Sequence, residues 1–320
     1  MTIPQPRRRP LATATLALVA GGSILPASMG TAASAASTYL PRAQSVSVHP
    51  GWLSTAATTA PVIYVSENDS LFQGVKIYSQ TGQNQQPIGQ IKTPYAPSGL
   101  AVDKGGNLYV VNGQTVLMFH NGQVTPSRRY TAGIDGPFSV AVGSDGTVYV
   151  ANSGSYGHLG TVAVYRNGST TPSSTIHDFT GMALGVATDA ANNLLISYIS
   201  AFNGAGQINI YAPGSTSGRD LGVTLNTPYG ITLDARGDYV VADEQNGLID
   251  VFSPGARTLA KFTSALPVGV AFNSAQNLLY SADENNGVVV RAYPSGNIVN
   301  TFGAGRIRAA GIALSPRAPY

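Results

Sequence analysis

Six stretches of this chain carry the same short pattern, a small residue set in an apolar run. They are Pro97-Ser98-Gly99-Leu100-Ala101-Val102-Asp103, Pro137-Phe138-Ser139-Val140-Ala141-Val142, Leu184-Gly185-Val186-Ala187-Thr188-Asp189, Pro228-Tyr229-Gly230-Ile231-Thr232-Leu233-Asp234, Pro267-Val268-Gly269-Val270-Ala271-Phe272-Asn273 and Ala310-Gly311-Ile312-Ala313-Leu314. The small residues, at positions 99, 139, 185, 230, 269 and 311, are spaced by 40, 46, 45, 39 and 42. A period of about 40–45 residues built from short β segments is the mark of a propeller blade. Few other architectures satisfy it.

Each unit has the same internal order. Gly230–Leu233 reads as a first strand and ends in the turn Asp234-Ala235-Arg236-Gly237-Asp238. Tyr239–Ala242 follows as a second strand, Leu248–Phe252 as a third after Asn246-Gly247, and Thr258–Phe262 as a fourth after Pro254-Gly255. Asp-x-x-Gly and Asn-Gly supply the side-chain bonds and positive φ that tight hairpins need. Third strands end in an aromatic: Tyr78, Phe119, Tyr165, Tyr211, Phe252 and Tyr293. The N-terminal unit lacks a first strand and has only Val62–Ser66, Val75–Tyr78 and Ile88–Ile91, whereas the C-terminus carries an unpaired one, Gly311–Leu314. Donating it to the N-terminal unit gives six complete four-stranded blades and removes exposed sheet edges. The expected fold is therefore an all-β, six-bladed propeller.

Composition agrees. Only 10% of the 320 residues are charged against 43% apolar, so the surface is built largely from small polar residues and turns, with 37 Gly and 20 Pro. The absence of Cys excludes disulfides, a cysteine nucleophile and thiolate metal sites. Arg7, Arg8 and Arg9 precede the apolar stretch Leu11–Leu25 and a small-residue site at Ala33-Ser34-Ala35-Ala36, the pattern of an export signal. The stretch is shorter than the roughly 20 residues that span a bilayer, and Gly21-Gly22 and Pro26 interrupt it. Arg8-Arg9-Pro10-Leu11 is a poor twin-arginine match, which leaves the export route open, as it leaves open an uncleaved anchor. Without those three arginines, 15 basic residues balance 15 acidic ones, so no basic face is expected to bind nucleic acid. The chain divides into a signal (1–36), a Ser/Thr/Ala/Pro-rich linker (37–61), the propeller (62–314) and a tail (315–320). The expected product is a monomer in the periplasm or outside the cell, with no transmembrane span after signal cleavage.

The units resemble the NHL repeat, in which a Pro-x-Gly-apolar strand is followed by Asp-x-x-Gly-Asn, Tyr-Val-Ala-Asp and a strand ending in Val-Phe. Pro228–Phe252 matches best, followed by Pro97–Phe119 and Pro267–Tyr293; the arginine usual in the third strand is replaced, for example by Leu248 and Val288. The chain also looks like the wider six-bladed group that includes gluconolactonase and senescence-marker-type lactonases. That resemblance implies one divalent cation at the channel mouth, held partly by carboxylates or amides just before the first-strand glycine. Those positions here are Ser98, Phe138, Leu184, Tyr229, Val268 and Ala310, none of which suits the role.

A second ring of candidates ends the second strands: Glu67, Asn112, Asn152, Tyr198, Asp243 and Asp283. Antiparallel pairing places them on the same face as the first-strand starts. Glu67, Asn112, Asn152, Asp243 and Asp283 therefore form a candidate metal set, with Ca²⁺ the preferred ion. The opposing expectation is that each caps its own turn and no cofactor is bound. No metalloprotease or nucleophile-elbow motif accompanies the four histidines, and His158 alone lies on the candidate face. Two long loops, Asn152–Gly160 and Tyr198–Gly206, lengthen blades 3 and 4 there. Phe138, Tyr156, His158, Tyr198, Phe202 and Tyr229 are the candidate ligand-binding residues of that face, offering aromatic surface to a protein, peptide or glycan. The leading expectation is a non-catalytic binding module. The alternative is a metal-dependent lactone or ester hydrolase.

Overall fold

The computed structural model describes residues 51–68, 72–82, 86–155, 158–303 and 309–319. The expected signal, the linker up to residue 50 and Tyr156 lie outside these residues. Among the described residues the strands form six antiparallel sheets, five of four strands and one of five. Blade 2 comprises Pro97–Val102, Leu108–Asn112, Thr115–Phe119 and Arg128–Tyr130; blade 3 comprises Pro137–Val142, Val148–Asn152, Thr161–Tyr165 and Ser174–Ile176. Blade 4 is Gly181–Thr188, Leu194–Ser200, Gly206–Tyr211 and Arg219–Asp220, and blade 5 is Pro228–Leu233, Tyr239–Asp243, Leu248–Phe252 and Thr258–Thr263. Pro267–Phe272, Leu278–Asp283, Gly287–Ala292 and Ile298–Phe302 make blade 6. Blade 1 is composite. The C-terminal strand Ala309–Ser315 pairs with Val62–Asn68, followed by Gln73–Ser79 and Gly89–Lys92, so the ring closes by the expected strand donation.

The core lies between blades, where faces of adjacent sheets bury Val, Ile, Tyr and Phe in six clusters. The third-strand aromatics sit there, with Tyr165 and Phe119 fully enclosed. A buried arginine does occur in a third strand, at Arg291, where Nη1 donates to Ser281 Oγ (3.1 Å) and Nη2 to the Thr263 carbonyl of blade 5 (2.6 Å).

Three expected boundaries change. Trp52–Leu53, inside the expected linker, adds a fifth strand to blade 1 against Gly89–Gln90. Thr55–Thr59 forms one helical turn capped by Ser54, because the blade edge offers unpaired backbone that this segment satisfies. In blade 4 the extra residues lengthen the strands to Ser200 and from Gly206, leaving only Ala201–Ala205 as the turn. The tail does not project, since Ser315 completes its strand and the next residues fold back under the ring. No helix among the described residues is long and apolar enough to cross a membrane.

Every blade has a register shift near the start of its first strand, which in blade 4 falls between Ala183 and Gly185 inside the lengthened strand. In blade 2, Pro97 faces Asn112 and the next pair is Leu100 with Val110; in blade 6, Pro267 faces Asp283 and Gly269 faces Ala282. Such bulges kink a strand and re-aim its backbone. Here they bring neighbouring first strands into backbone contact at the small residues. A Cβ on Gly99 would lie 2.7 Å from the Phe138 carbonyl oxygen, and one on Gly230 would lie 2.7 Å from the Gly269 Cα. Cβ atoms on Gly185 and Gly311 would collide with the Tyr229 and Ser98 carbonyl oxygens. The freed carbonyls accept from hydroxyls of adjacent blades: Ser66 Oγ to Ser98 (2.7 Å), Ser98 Oγ to Phe138 (3.0 Å) and Ser197 Oγ to Tyr229 (3.2 Å).

Gly185→Ala should therefore cost about 3 kcal/mol, because backbone and not a flexible side chain blocks the methyl group. Gly255→Ala, with its turn open to solvent, should change stability by less than about 0.5 kcal/mol. Urea unfolding of both variants checks the contrast; equal losses would show that close approach at the axis is not what requires glycine.

Candidate functional site

The antiparallel register places Glu67, Asn112, Asn152, Tyr198, Asp243 and Asp283 opposite the bulges of their own blades, at the second-strand end in all but Glu67 and Tyr198. All six residues are buried. For Asn112, Asn152, Asp243 and Asp283 the backbone within reach is the linker that enters the blade from the previous one, and its N–H groups and carbonyls supply partners. Asp243 accepts from the backbone N–H groups of Asn226 (3.0 Å) and Thr227 (2.8 Å) and from Asn246 Nδ2 (2.7 Å). Asp283 accepts from Ser264 Oγ (2.9 Å) and the N–H groups of Ala265 (2.9 Å), Leu266 (3.1 Å), Asn285 (3.0 Å) and Asn286 (2.9 Å). Burial acts to raise the Asp283 pKa. The donors outweigh it and hold the carboxyl below the usual range. Asn152 donates to the Gly133 carbonyl (2.9 Å) and accepts from the Asp135 N–H (3.2 Å), while Asn112 donates to the Tyr95 carbonyl. Glu67 pairs with Lys76 Nζ at 2.6 Å.

Four of the five residues of the candidate metal set are thus separate latches on linker backbone, and the fifth, Glu67, is engaged by Lys76. Among the described residues no three His, Asp or Glu side chains gather as a metal ion would require. Tyr198 is also corrected as a surface candidate. It is buried against Phe179, with ring centroids 5.2 Å apart, because blade 4 extends past it.

Two of the expected aromatics do meet. Phe138 and Tyr229 are the bulge residues of blades 3 and 5, and the bulges turn both rings over the channel mouth. They stack with centroids 4.9 Å apart and planes 8° from parallel, bridging across blade 4. Beside them stand Glu244 and Glu284, each following a strand-two carboxylate and therefore leaving the sheet toward this face. Burial, then Glu244 and Glu284, pushes the Tyr229 hydroxyl up to about 12. Burial, Glu284 and Asp243 raise the Glu244 carboxyl. The sequence reading passed over these glutamates; the signal was their position one residue beyond an aligned ring, where only blades 5 and 6 carry acid.

Further out, His158 Nδ1 lies 3.1 Å from Asp135 Oδ2, and Ser155 also bonds Asp135, which with His158 lowers its pKa. The carboxylate stands between hydroxyl and imidazole, so this is not a hydrolytic relay, in which the imidazole is the middle member. Phe202 at the blade 4 turn is 85% exposed, Leu159 53% and Tyr95, on the linker into blade 2, 60%. Asp135, Glu244 and Glu284 supply carboxylates to this face.

No known family profile matches this sequence, and no curated protein matches it. Solved structures match the fold. A chain in the crystal structure of a nidogen/laminin complex superposes with a TM-score of 0.66 at 17% identity, covering 80% of this chain and 98% of that one. A protein of unknown function from Bacteroides caccae gives 0.60 at 15% identity, covering 80% and 99%. Kuenenia stuttgartiensis hydrazine synthase gives 0.58 at 16%, covering 73% and 80%. These likenesses establish the six-bladed β-propeller.

Because the folded Asp283 pKa is depressed, its stabilisation is present above the unfolded carboxylate pKa and is lost as pH falls through the folded value. Asp283→Asn should be about 2 kcal/mol less stable than wild type at pH 7, from weakened bonds to a charged acceptor. The gap should narrow below about pH 4, where the unfolded wild-type chain begins to take up a proton that the folded carboxylate still resists. Chemical unfolding at pH 7, 5 and 3 measures it; a gap constant across that range would mean the charge contributes nothing.

Proposed function

We propose that this propeller is an exported, non-catalytic binding module of NHL-like repeat type that takes a protein, peptide or glycan on its loop-bearing face. The observation that carries the reading is the division of labour at that face. Four of the five polar residues that resembled a cation ring are spent on linker backbone and Glu67 on Lys76, and the side chains presented outward are Tyr95, Leu159, Phe202 and the Phe138–Tyr229 pair. Flat aromatic surface rimmed by a few charges suits stacking on a sugar or packing on a peptide. A structurally similar chain occurs in a complex of nidogen with laminin, which supports the fold as a platform for protein assembly. The N-terminal pattern of Arg7–Arg9, Leu11–Leu25 and Ala33–Ala36 supports export. Lactone or ester hydrolysis is the alternative, and it would require Asp243 and Asp283 to abandon backbone donors for an ion.

Thermal unfolding in excess EDTA, then with Ca²⁺, Mg²⁺, Mn²⁺ or Zn²⁺, separates the two. An ion at a hundred times its dissociation constant adds about 2.7 kcal/mol. No ion is expected to move the midpoint; a shift of that size, lost in Asp283→Asn, would favour the hydrolase.

The binding face is checked by screening the full chain against glycan and peptide arrays. Phe202→Ala and Phe138→Ala should each weaken any captured ligand at least tenfold, about 1.4 kcal/mol, while Lys104→Ala on the opposite face leaves it unchanged. Loss on Lys104→Ala alone would place the site on the wrong face.

A further inference from the structure

The channel narrows to about 60 Å³ under the Phe138–Tyr229 pair and holds about 90 Å³ at the opposite, turn-bearing end. That second end is lined by Arg317 and Ala318 as well as by first strands. After Ser315 the chain therefore crosses beneath the ring instead of leaving it.

The crossing is fastened along its length. At its start, Gln80 Nε2 donates to the carbonyls of both Ser315 (3.2 Å) and Val62 (3.1 Å) in blade 1. At the middle, Arg317 Nη1 donates to the Val142 carbonyl of blade 3 (2.8 Å). Ala318 is buried and packs with Val240 of blade 5 and Val270, Phe272 and Leu279 of blade 6. At the far end, Gln276 Nε2 donates to the Pro319 carbonyl (2.8 Å), and its Oε1 accepts from the Ala235 N–H of blade 5. Gln276 is held at φ 52°, a left-handed conformation that costs a non-glycine residue of order 1 kcal/mol. The equivalent turn residues of blades 2 to 5, Gly106, Gly146, Asn192 and Gly237, are left-handed as well, so the hairpin sets this conformation, and what distinguishes blade 6 is a side chain there that reaches the tail. The outer side of the segment, with the short helix Thr55–Thr59, walls a separate cleft of about 620 Å³.

We propose that Ser315–Pro319 is a strap that plugs the turn-side mouth of the channel and fastens the ring a second time, independently of strand donation. The channel is then blind, and anything entering it passes the Phe138–Tyr229 pair. The strap ties blade 1 to blades 3, 5 and 6, so blade 1 cannot swing out without extracting Ala318 and Arg317.

The absence of native cysteine makes the test clean, because one introduced thiol is the only one to react. Ala271→Cys places it on the channel wall beside the strap, and Leu184→Cys places it at the loop-side mouth. Iodoacetamide labelling of the folded full chain should be slow for Ala271→Cys and should accelerate at least tenfold when combined with Ala318→Asp or Gln276→Gly. Leu184→Cys should label at a rate that neither second change alters. Gln276→Gly relieves the backbone strain while removing the tie, so it keeps the fold testable if Ala318→Asp does not fold. Far-ultraviolet circular dichroism confirms that each labelled variant is folded. Equal labelling of Ala271→Cys with and without Gln276→Gly would overturn the plug.

Discussion

The rest of this molecule depends on how closely six strands can approach one axis. At the bulge that opens each first strand, backbone meets backbone from the neighbouring blade, and at Gly99, Gly185, Gly230 and Gly311 a Cβ has nowhere to go. That approach lets Ser66, Ser98 and Ser197 reach carbonyls across the blade boundary. It also fixes which side chains look into the channel, because the bulge residue is turned out of the alternation that would otherwise bury it. Phe138 and Tyr229 owe their stacking to this displacement. The same constraint made the architecture readable, since a glycine or serine demanded once per blade recurs at the blade period.

Closure follows a different physics. Pairing Ala309–Ser315 with Val62–Asn68 leaves no free inner strand, and the inter-blade clusters become continuous around the ring. This was legible because an incomplete unit at one end and a surplus strand at the other complement each other. What escaped the sequence reading lacks a repeat to be compared with. Trp52–Leu53 and the helical turn after it sit in an Ala/Thr/Pro-rich stretch with no periodicity, and they are ordered only by the edge they cover. The blade 4 extension was masked by the repeat itself: aligning Tyr198 with Asp243 implies a strand end, yet Ile199-Ser200 continues the apolar alternation and the strand goes on with it.

The candidate ring shows why position alone does not give role. Four of its six members, Asn112, Asn152, Asp243 and Asp283, end their second strands as the repeat implies, Glu67 and Tyr198 lie just inside longer strands, and all six are buried. A buried carboxylate takes whatever donors are in reach, and an unsatisfied backbone N–H in a buried linker costs comparable energy, so the two neutralise each other locally. Asp243 and Asp283 meet two and four backbone N–H groups, respectively. Those groups belong to connecting loops, whose conformation no periodicity encodes, and this is why the latch could be named as an option from sequence but not distinguished from a cation ring.

It follows that agreement among the blades and departure from it carry different information. Positions where the repeats agree, the axial small residues, the strand-two ends and the third-strand aromatics, are each accounted for by packing or by a latch. One residue past the strand-two ends the blades diverge into Asn68, Gly113, Ser153, Ile199, Glu244 and Glu284. That divergence makes the loop side lopsided, with carboxylates beside Tyr229 over blades 5 and 6 and exposed apolar groups over blades 2 to 4. Burial first, and then the neighbouring Glu284 and Asp243, raise the Glu244 carboxyl, so this acid is half withdrawn from water beside the Phe138–Tyr229 pair. The repeat does not require it there, since the other four blades close without an acid at that position.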